Sequence, residues 1–228
     1  VTRAVVRKEL AVLWLSPVPY VVAAVFNTVL GLLYVNQLEG RQQALLQPLF
    51  PLAGFLLVLV VPVLAMRSLA DEARSGSLDL LLAVPVRAWP LVVGKWVATW
   101  LTALAVLAPS LVFVVLVGWW GDPDPGPGLS GYLGLALLAG ALAGVGVLAS
   151  SLSSSQPVAA MSALFAAVLL WFASAAGATG LLVRLSLSER LRGFAGGVVD
   201  SADAGYFVVL AACALAVACS AVSARRLR

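Results

Sequence analysis

Six stretches of this 228-residue chain run for about the length of a bilayer crossing with few charges in them, and that pattern excludes most folds at once. A helix rising 1.5 Å per residue needs roughly 20 apolar residues to cross about 30 Å of hydrocarbon. The runs extend from about Val18 to Val35, Pro48 to Met66, Trp89 to Gly118, Tyr132 to Leu152, Pro157 to Gly177 and Ala204 to Val222. The third is longer than a crossing requires, which predicts a tilt or a start in the interface. With 62% hydrophobic and 11% charged residues, the chain has too little polar surface for a soluble fold. The runs lack the short alternating pattern of a barrel, whereas helices satisfy their own backbone groups in lipid. The expected fold is an all-α integral membrane protein with six transmembrane helices.

The basic residues orient it. With both termini cytosolic, Arg3, Arg7, Lys8, Arg67, Arg74, Arg87, Lys95, Arg225, Arg226 and Arg228 lie inside, and Arg41, Arg184, Arg190 and Arg192 outside. That split of ten to four makes the net charge of +4 a topology signal for a multi-pass cell-membrane protein, with no nucleic-acid partner implied.

Residues 1–16 are too charged to span. Val5, Val6, Leu10, Leu13 and Trp14 recur at helical spacing opposite Arg3, Arg7 and Lys8, as in an amphipathic helix lying in the interface. Arg7, Lys8 and Trp14 are then interface anchors; the plainer reading is a basic flank with no specific contact. Pro17 and Pro19 bend the chain into the first span, and no cleavable signal pattern is expected. Outside loops are expected at residues 119–130, where Gly121–Gly128 is a turn-rich linker beside Trp119 and Trp120, and at residues 184–203.

Absences narrow the chemistry. The chain has no histidine, and Cys213 and Cys219 stand six residues apart in an apolar run, so a disulfide framework, zinc or haem has little support. No catalytic residues cluster, and no glycine loop for cradling phosphates is present, so the chain is not expected to be an enzyme or to hydrolyse ATP by itself. No cofactor of its own is expected. Strong acids and bases avoid the middle of the spans, which argues against ion-driven transport. Asn27, Thr28, Thr99 and Thr102 either line a path or satisfy themselves on backbone carbonyls. Ala136, Gly140 and Gly144 share a small-residue face that serves packing within one subunit or between two.

One segment is charged and broken by glycine: Asp71 to Pro85. Gly76 is placed to end the helix leaving the second span, Ser77 to cap a new one, and Asp79 to sit in its first turn. Pro85 restricts Val84, so the new helix covers about Leu78 to Ala83. A short helix seated on the bundle by its leucines has the form of a ball that fits a socket on another protein; a solvated linker is the alternative. Lys95 is expected just inside the third span, snorkelling to inner headgroups as a further interface anchor, or pairing with Asp79 or a partner's acid.

Glu72, Gly76, Ser77, Asp79, Leu81, Leu82 and Pro85, followed by Gly94-Lys95, resemble the coupling-loop signature of permease subunits in the ABC-2 transporter family. The glycine-containing run Gly144–Gln156, which ends in a serine-rich turn, and the stretch Phe194–Asp200 with Tyr206-Phe207 are similar to its fourth span and last outside segment. The likeness covers nearly the whole chain, 1–228, and is nearest to the short permeases of gliding motility and nitrous-oxide-reductase maturation. Asp79 stands where glutamate is commoner, Ser77 where threonine is commoner, and Glu189-Arg190 where relatives often carry histidine.

The resemblance implies a cytosolic coupling segment at residues 70–85 that touches separate cytosolic ATP-binding-cassette ATPase subunits. It also implies a homodimer or a heterodimer with a related permease, and ATP and magnesium bound by the ATPase rather than by this chain. Three classes of function follow: a permease exporting or extruding a hydrophobic, lipid-linked or peptide-like cargo; an ATPase-coupled component of assembly, maturation or motility machinery without conventional cargo; and a non-transporting membrane enzyme or scaffold.

Overall fold

The computed structural model describes residues 2–41, 45–74, 88–120, 125–174 and 181–225. Every regular element among them is helical. Helix α1 (Thr2–Leu15) precedes α2 (Val18–Arg41), α3 (Leu49–Ala65) and the short α4 (Arg67–Arg74). Helix α5 (Ala88–Leu107) passes through a 3₁₀ turn, Ala108–Ser110, into α6 (Leu111–Trp120). Then come α7 (Pro125–Leu152), α8 (Gln156–Trp171), α9 (Leu181–Leu185), α10 (Leu187–Ala195) and α11 (Ser201–Arg225).

Five helical stretches among the described residues are long and apolar enough to cross a membrane: Val18–Leu38, Leu49–Ala70, Ala88–Trp119, Gly126–Leu152 and Ser201–Ala224. The remaining expected run contains α8, whose 16 residues rise about 24 Å, short of the roughly 30 Å of a full crossing. The rest of that expected run, from residue 175, lies outside the described residues.

One sequence expectation is refined and a second corrected. The long third run stays one helical stretch, Ala88–Trp119, and tightens to a 3₁₀ turn at Ala108–Ser110, because Pro109 has no N–H to continue the α-helical ladder. Ser110 donates to the Leu107 carbonyl at 2.7 Å and meets the Tyr132 hydroxyl at 3.1 Å, so the break is satisfied inside protein. Second, the linker expected to run to residue 130 becomes helix from Pro125. Prolines are tolerated in a first turn, where N–H groups lack intrahelical partners in any case.

Helix α7 is the axis of the bundle. It packs on α3, α5, α8, α10 and α11, and Leu135, Leu138, Ala139 and Ala141 on it are fully buried. Its glycines allow the approach: a Cβ on Gly146 would lie 2.4 Å from the Ala65 Cβ, and one on Gly131 2.4 Å from the Phe50 ring. Gly140 faces Trp100 and Gly144 faces Ala211, so this small-residue face packs within one chain. Trp96 and Trp100 stack 5.4 Å apart and donate their indole N–H groups to the Gly140 and Ala136 carbonyls, at 2.8 and 2.9 Å.

At the end of the bundle away from α1, Arg190 fastens α10 to α11. Its guanidinium lies 2.5 Å from Asp203 and over the Tyr206 ring, whose hydroxyl donates to the Leu185 carbonyl at 2.6 Å. Gly197, at φ +90°, stops α10: its N–H reaches the Phe194 carbonyl, and the Val198 N–H reaches Gly193.

Candidate functional site

The end of the bundle that carries α1 holds a polar junction inside apolar packing. Helix α3 gives way to α4 at Met66, and such a break strands backbone groups. Ser150, near the end of α7 and fully buried, supplies the partners: its Oγ accepts from the Leu69 and Ala70 N–H groups at 2.9 Å each and donates to the Met66 carbonyl at 3.2 Å. One hydroxyl thus caps α4 from another helix, the service a Ser N-cap ordinarily performs from within its own chain segment.

Lys95 on α5 ties in the N-terminal helix. Its ammonium donates to Glu9 Oε1 of α1 at 3.0 Å and to the Ser68 carbonyl of α4, and only 1% of the side chain is exposed. The residue before it explains how α1 comes so near. A Cβ on Gly94 would lie 2.7 Å from Val5 Cγ1, so only glycine lets α1 rest on the α5 backbone at this level. Thr99, one turn further, returns its hydroxyl to the Lys95 carbonyl at 3.0 Å. Helices α5 and α7 therefore bond α4 within two residues of one another at Ser68–Ala70, and α1 joins the same junction through Lys95.

A buried ion pair of this kind resists sliding. An uncompensated charge in a low-dielectric setting costs several kcal/mol, so the pair and its carbonyl acceptor hold α1, α4 and α5 in one register. Residues 71–74 leave this junction as the remaining turn of α4.

Comparison with known protein families decides the identity of the frame. Residues 15–193 match the family described as ABC-2 family transporter protein, well over half of the chain. The chain belongs to the ABC-2 transporter family. It is accordingly a multi-pass membrane component of an ATP-binding-cassette transporter, and the ABC-2 family in general associates with an ATP-binding-cassette partner. No curated protein matches the sequence.

Within this ABC-2 chain the predicted site residues separate into three groups. Gly76, Ser77, Asp79, Leu81, Leu82 and Pro85 lie outside the described residues, as does the expected helix from Leu78 to Ala83. Glu72 falls on the described backbone of α4, the helix that leaves the junction. Arg7 and Lys8 are on the exposed face of α1, and Trp14 is half-exposed, with its ring edge-on to Tyr20 at 5.6 Å. Lys95 is a correction. It does not reach out to headgroups; burial behind α1, with a carboxylate and a carbonyl at hand, turns its ammonium inward.

Glu9 and Ser68 were not singled out by the sequence. A signal for Glu9 existed: it is the only acid in α1, and it sits four residues from Val5, on the face that packs against α5. Ser150 was legible only as part of a serine-rich turn, since nothing local distinguishes it from Ser151, which bonds its own helix at the Leu148 carbonyl.

The polar positions of the spans resolve differently. Thr99 and Thr102 bond carbonyls four residues back. Asn27 donates to the Ala23 carbonyl at 2.8 Å and across to Val106 at 2.9 Å, clipping α2 to α5 at the level where α5 ends. At the opposite end, a cavity of about 830 Å³ opens between α2, α3, α8 and α10. Phe55, Trp171 and Phe172 form its apolar wall; Gln37, Glu189 and Arg192 its polar rim.

Proposed function

We propose that this chain is the permease subunit through which separate cytosolic ATPase subunits drive the export or extrusion of a hydrophobic, lipid-linked or peptide-like cargo. The observation that carries the reading is the four-element junction at Ser68–Ala70, from which the charged segment 71–85 departs. A segment that receives force must transmit it into the bundle. Ser150 joins α4 to the central helix α7, and Lys95 joins it to α1 and α5, so displacement of α4 moves several helices as one body.

In this reading Glu72, Gly76, Ser77 and Asp79 form the contact with the ATPase. Leu81 and Leu82 hold the coupling helix on the bundle, and Pro85 ends it. Both termini are cytosolic in the plasma membrane, as the ten-to-four division of basic residues favours. Two such permeases, identical or related, form the pathway. ATP and magnesium bind the ATPase subunits, and this chain performs no catalysis. The aromatic wall and polar rim of the 830 Å³ cavity favour an amphipathic cargo whose apolar part faces Phe55 and Trp171.

The test is purification of the tagged chain from its native membrane in mild detergent with whatever ATPase accompanies it. The expected result is a stoichiometric ATP-binding-cassette ATPase, lost when Glu72 and Asp79 are both replaced by arginine. The single variant Asp79→Arg is expected to keep insertion and folding while ATP hydrolysis no longer responds to cargo. Cargo-coupled turnover undiminished in a folded Asp79→Arg complex would remove Asp79 from the contact.

A further inference from the structure

Behind α1, a second cavity of about 250 Å³ lies between α1, the start of α2, the α3–α4 break and α5. Its described lining divides sharply. Lys8, Arg67 and Lys95 contribute three cations against the one carboxylate of Glu9, with Ser68 and Thr99 beside them. Val12, Leu13, Val63 and Leu64 make up an apolar wall.

Ser68 marks the cavity as a site. The residue is 8% exposed, and its hydroxyl has no hydrogen-bond partner. Helical hydroxyls in apolar surroundings ordinarily bond a carbonyl three or four residues back, as Thr99, Thr102, Ser151 and Ser162 do here. Ser68 is the exception among them, and it lines the cavity beside the Lys95 ammonium that its own carbonyl accepts. A buried polar group left without a partner in a native fold calls for a ligand or an ordered water to satisfy it.

We infer that this cavity binds the phosphate headgroup of an anionic phospholipid, held by Arg67, Lys8 and the Ser68 hydroxyl, with its acyl chains along the Val12–Leu13 and Val63–Leu64 wall. A phosphate oxygen accepts from both cation and hydroxyl, and charge-assisted bonds of that type are the strong ones. The size agrees with a headgroup: pockets that enclose a whole drug-sized ligand hold about 300–1,000 Å³, so the chains stay in the bilayer. The apolar wall favours a lipid over free phosphate, which has nothing to place against it. Such a lipid would sit between α1 and the junction, filling the space on which the register of α1 depends.

The full chain, purified in mild detergent, is titrated with phosphatidylglycerol, phosphatidylcholine and inorganic phosphate, with bound lipid counted by native mass spectrometry and stability followed by thermal denaturation. Selective retention of phosphatidylglycerol is expected, weakened about a hundredfold in the Lys8→Gln/Arg67→Gln double variant, because each of the two lost contacts to a charged group is worth about one decade. Ser68→Ala, which removes only the unpartnered hydroxyl, is expected to keep the fold and lower retention severalfold. Equal retention of phosphatidylcholine, an equal thermal shift with inorganic phosphate alone, or unchanged retention in folded Ser68→Ala and in the double variant would each overturn the assignment. None of these readouts involves an ATPase, so the lipid site and the coupling contact fail independently.

Discussion

The ion pair between Lys95 and Glu9 is the contact on which the placement of α1 turns, and a double-mutant cycle measures it. Glu9→Gln keeps shape but removes the carboxylate, leaving an ammonium that is 1% exposed with the Ser68 carbonyl still bonded. Breaking a buried pair from one side costs about 3–5 kcal/mol. Glu9 is 15% exposed and water reaches it, so the cost falls at or just below the bottom of that range, about 2–3 kcal/mol. Lys95→Met strands the carboxylate instead, which can turn to water, and is expected to cost about 1–2 kcal/mol, less than the reverse change. The double variant Glu9→Gln/Lys95→Met strands no charge and should be more stable than Glu9→Gln alone. In thermal denaturation of the full chain in detergent, 1 kcal/mol corresponds to about 2–4 °C for a chain of this size, so Glu9→Gln should lower the midpoint by about 4–12 °C. The double variant should recover part of that. Additivity of the two single changes within about 0.5 kcal/mol would refute the pairing.

Two further changes test the junction and the central helix. Ser150→Ala leaves the Leu69 and Ala70 N–H groups and the Met66 carbonyl without their partner, and is expected to cost about 2–4 kcal/mol in the same denaturation assay and to speed proteolysis of α4. Gly146→Ala places a methyl 2.4 Å from the Ala65 Cβ and should cost about 1–3 kcal/mol, whereas Gly205→Ala, with open space around it, should be neutral or stabilise by up to about 1 kcal/mol.

Five of the six expected spans were legible because one physical demand, about 20 apolar residues per crossing, writes itself along the chain without reference to neighbours. Helix ends were less so. Sequence punctuation placed the outer linker through residue 130, yet Pro125, Gly126 and Pro127 enter α7, because a first turn asks little of its N–H groups. Pro109 shows the converse: a single missing donor inside an apolar run puts a 3₁₀ turn within one expected span, between α5 and α6. Gly140 and Gly144 were recognisable as a close-packing face, but only their neighbours Trp100 and Ala211 assign that face to the interior of one chain.

The junction was half legible, for a reason that Lys95 makes concrete. A lysine one or two turns into a span has two low-cost solutions, reaching the headgroup layer or finding an acid, and the local sequence is the same for both. What separates them is a residue 86 positions away: Glu9 becomes available only because Gly94 lacks the Cβ that would hold α1 off α5. Gly94-Lys95 is thus one device, the first residue admitting a helix and the second fastening it. The same dependence extends to Ser150, whose value lies in a break between α3 and α4 that is 80 residues distant in sequence. The contacts that fix this junction join segments far apart in the chain, and pattern along the chain registers only one member of each.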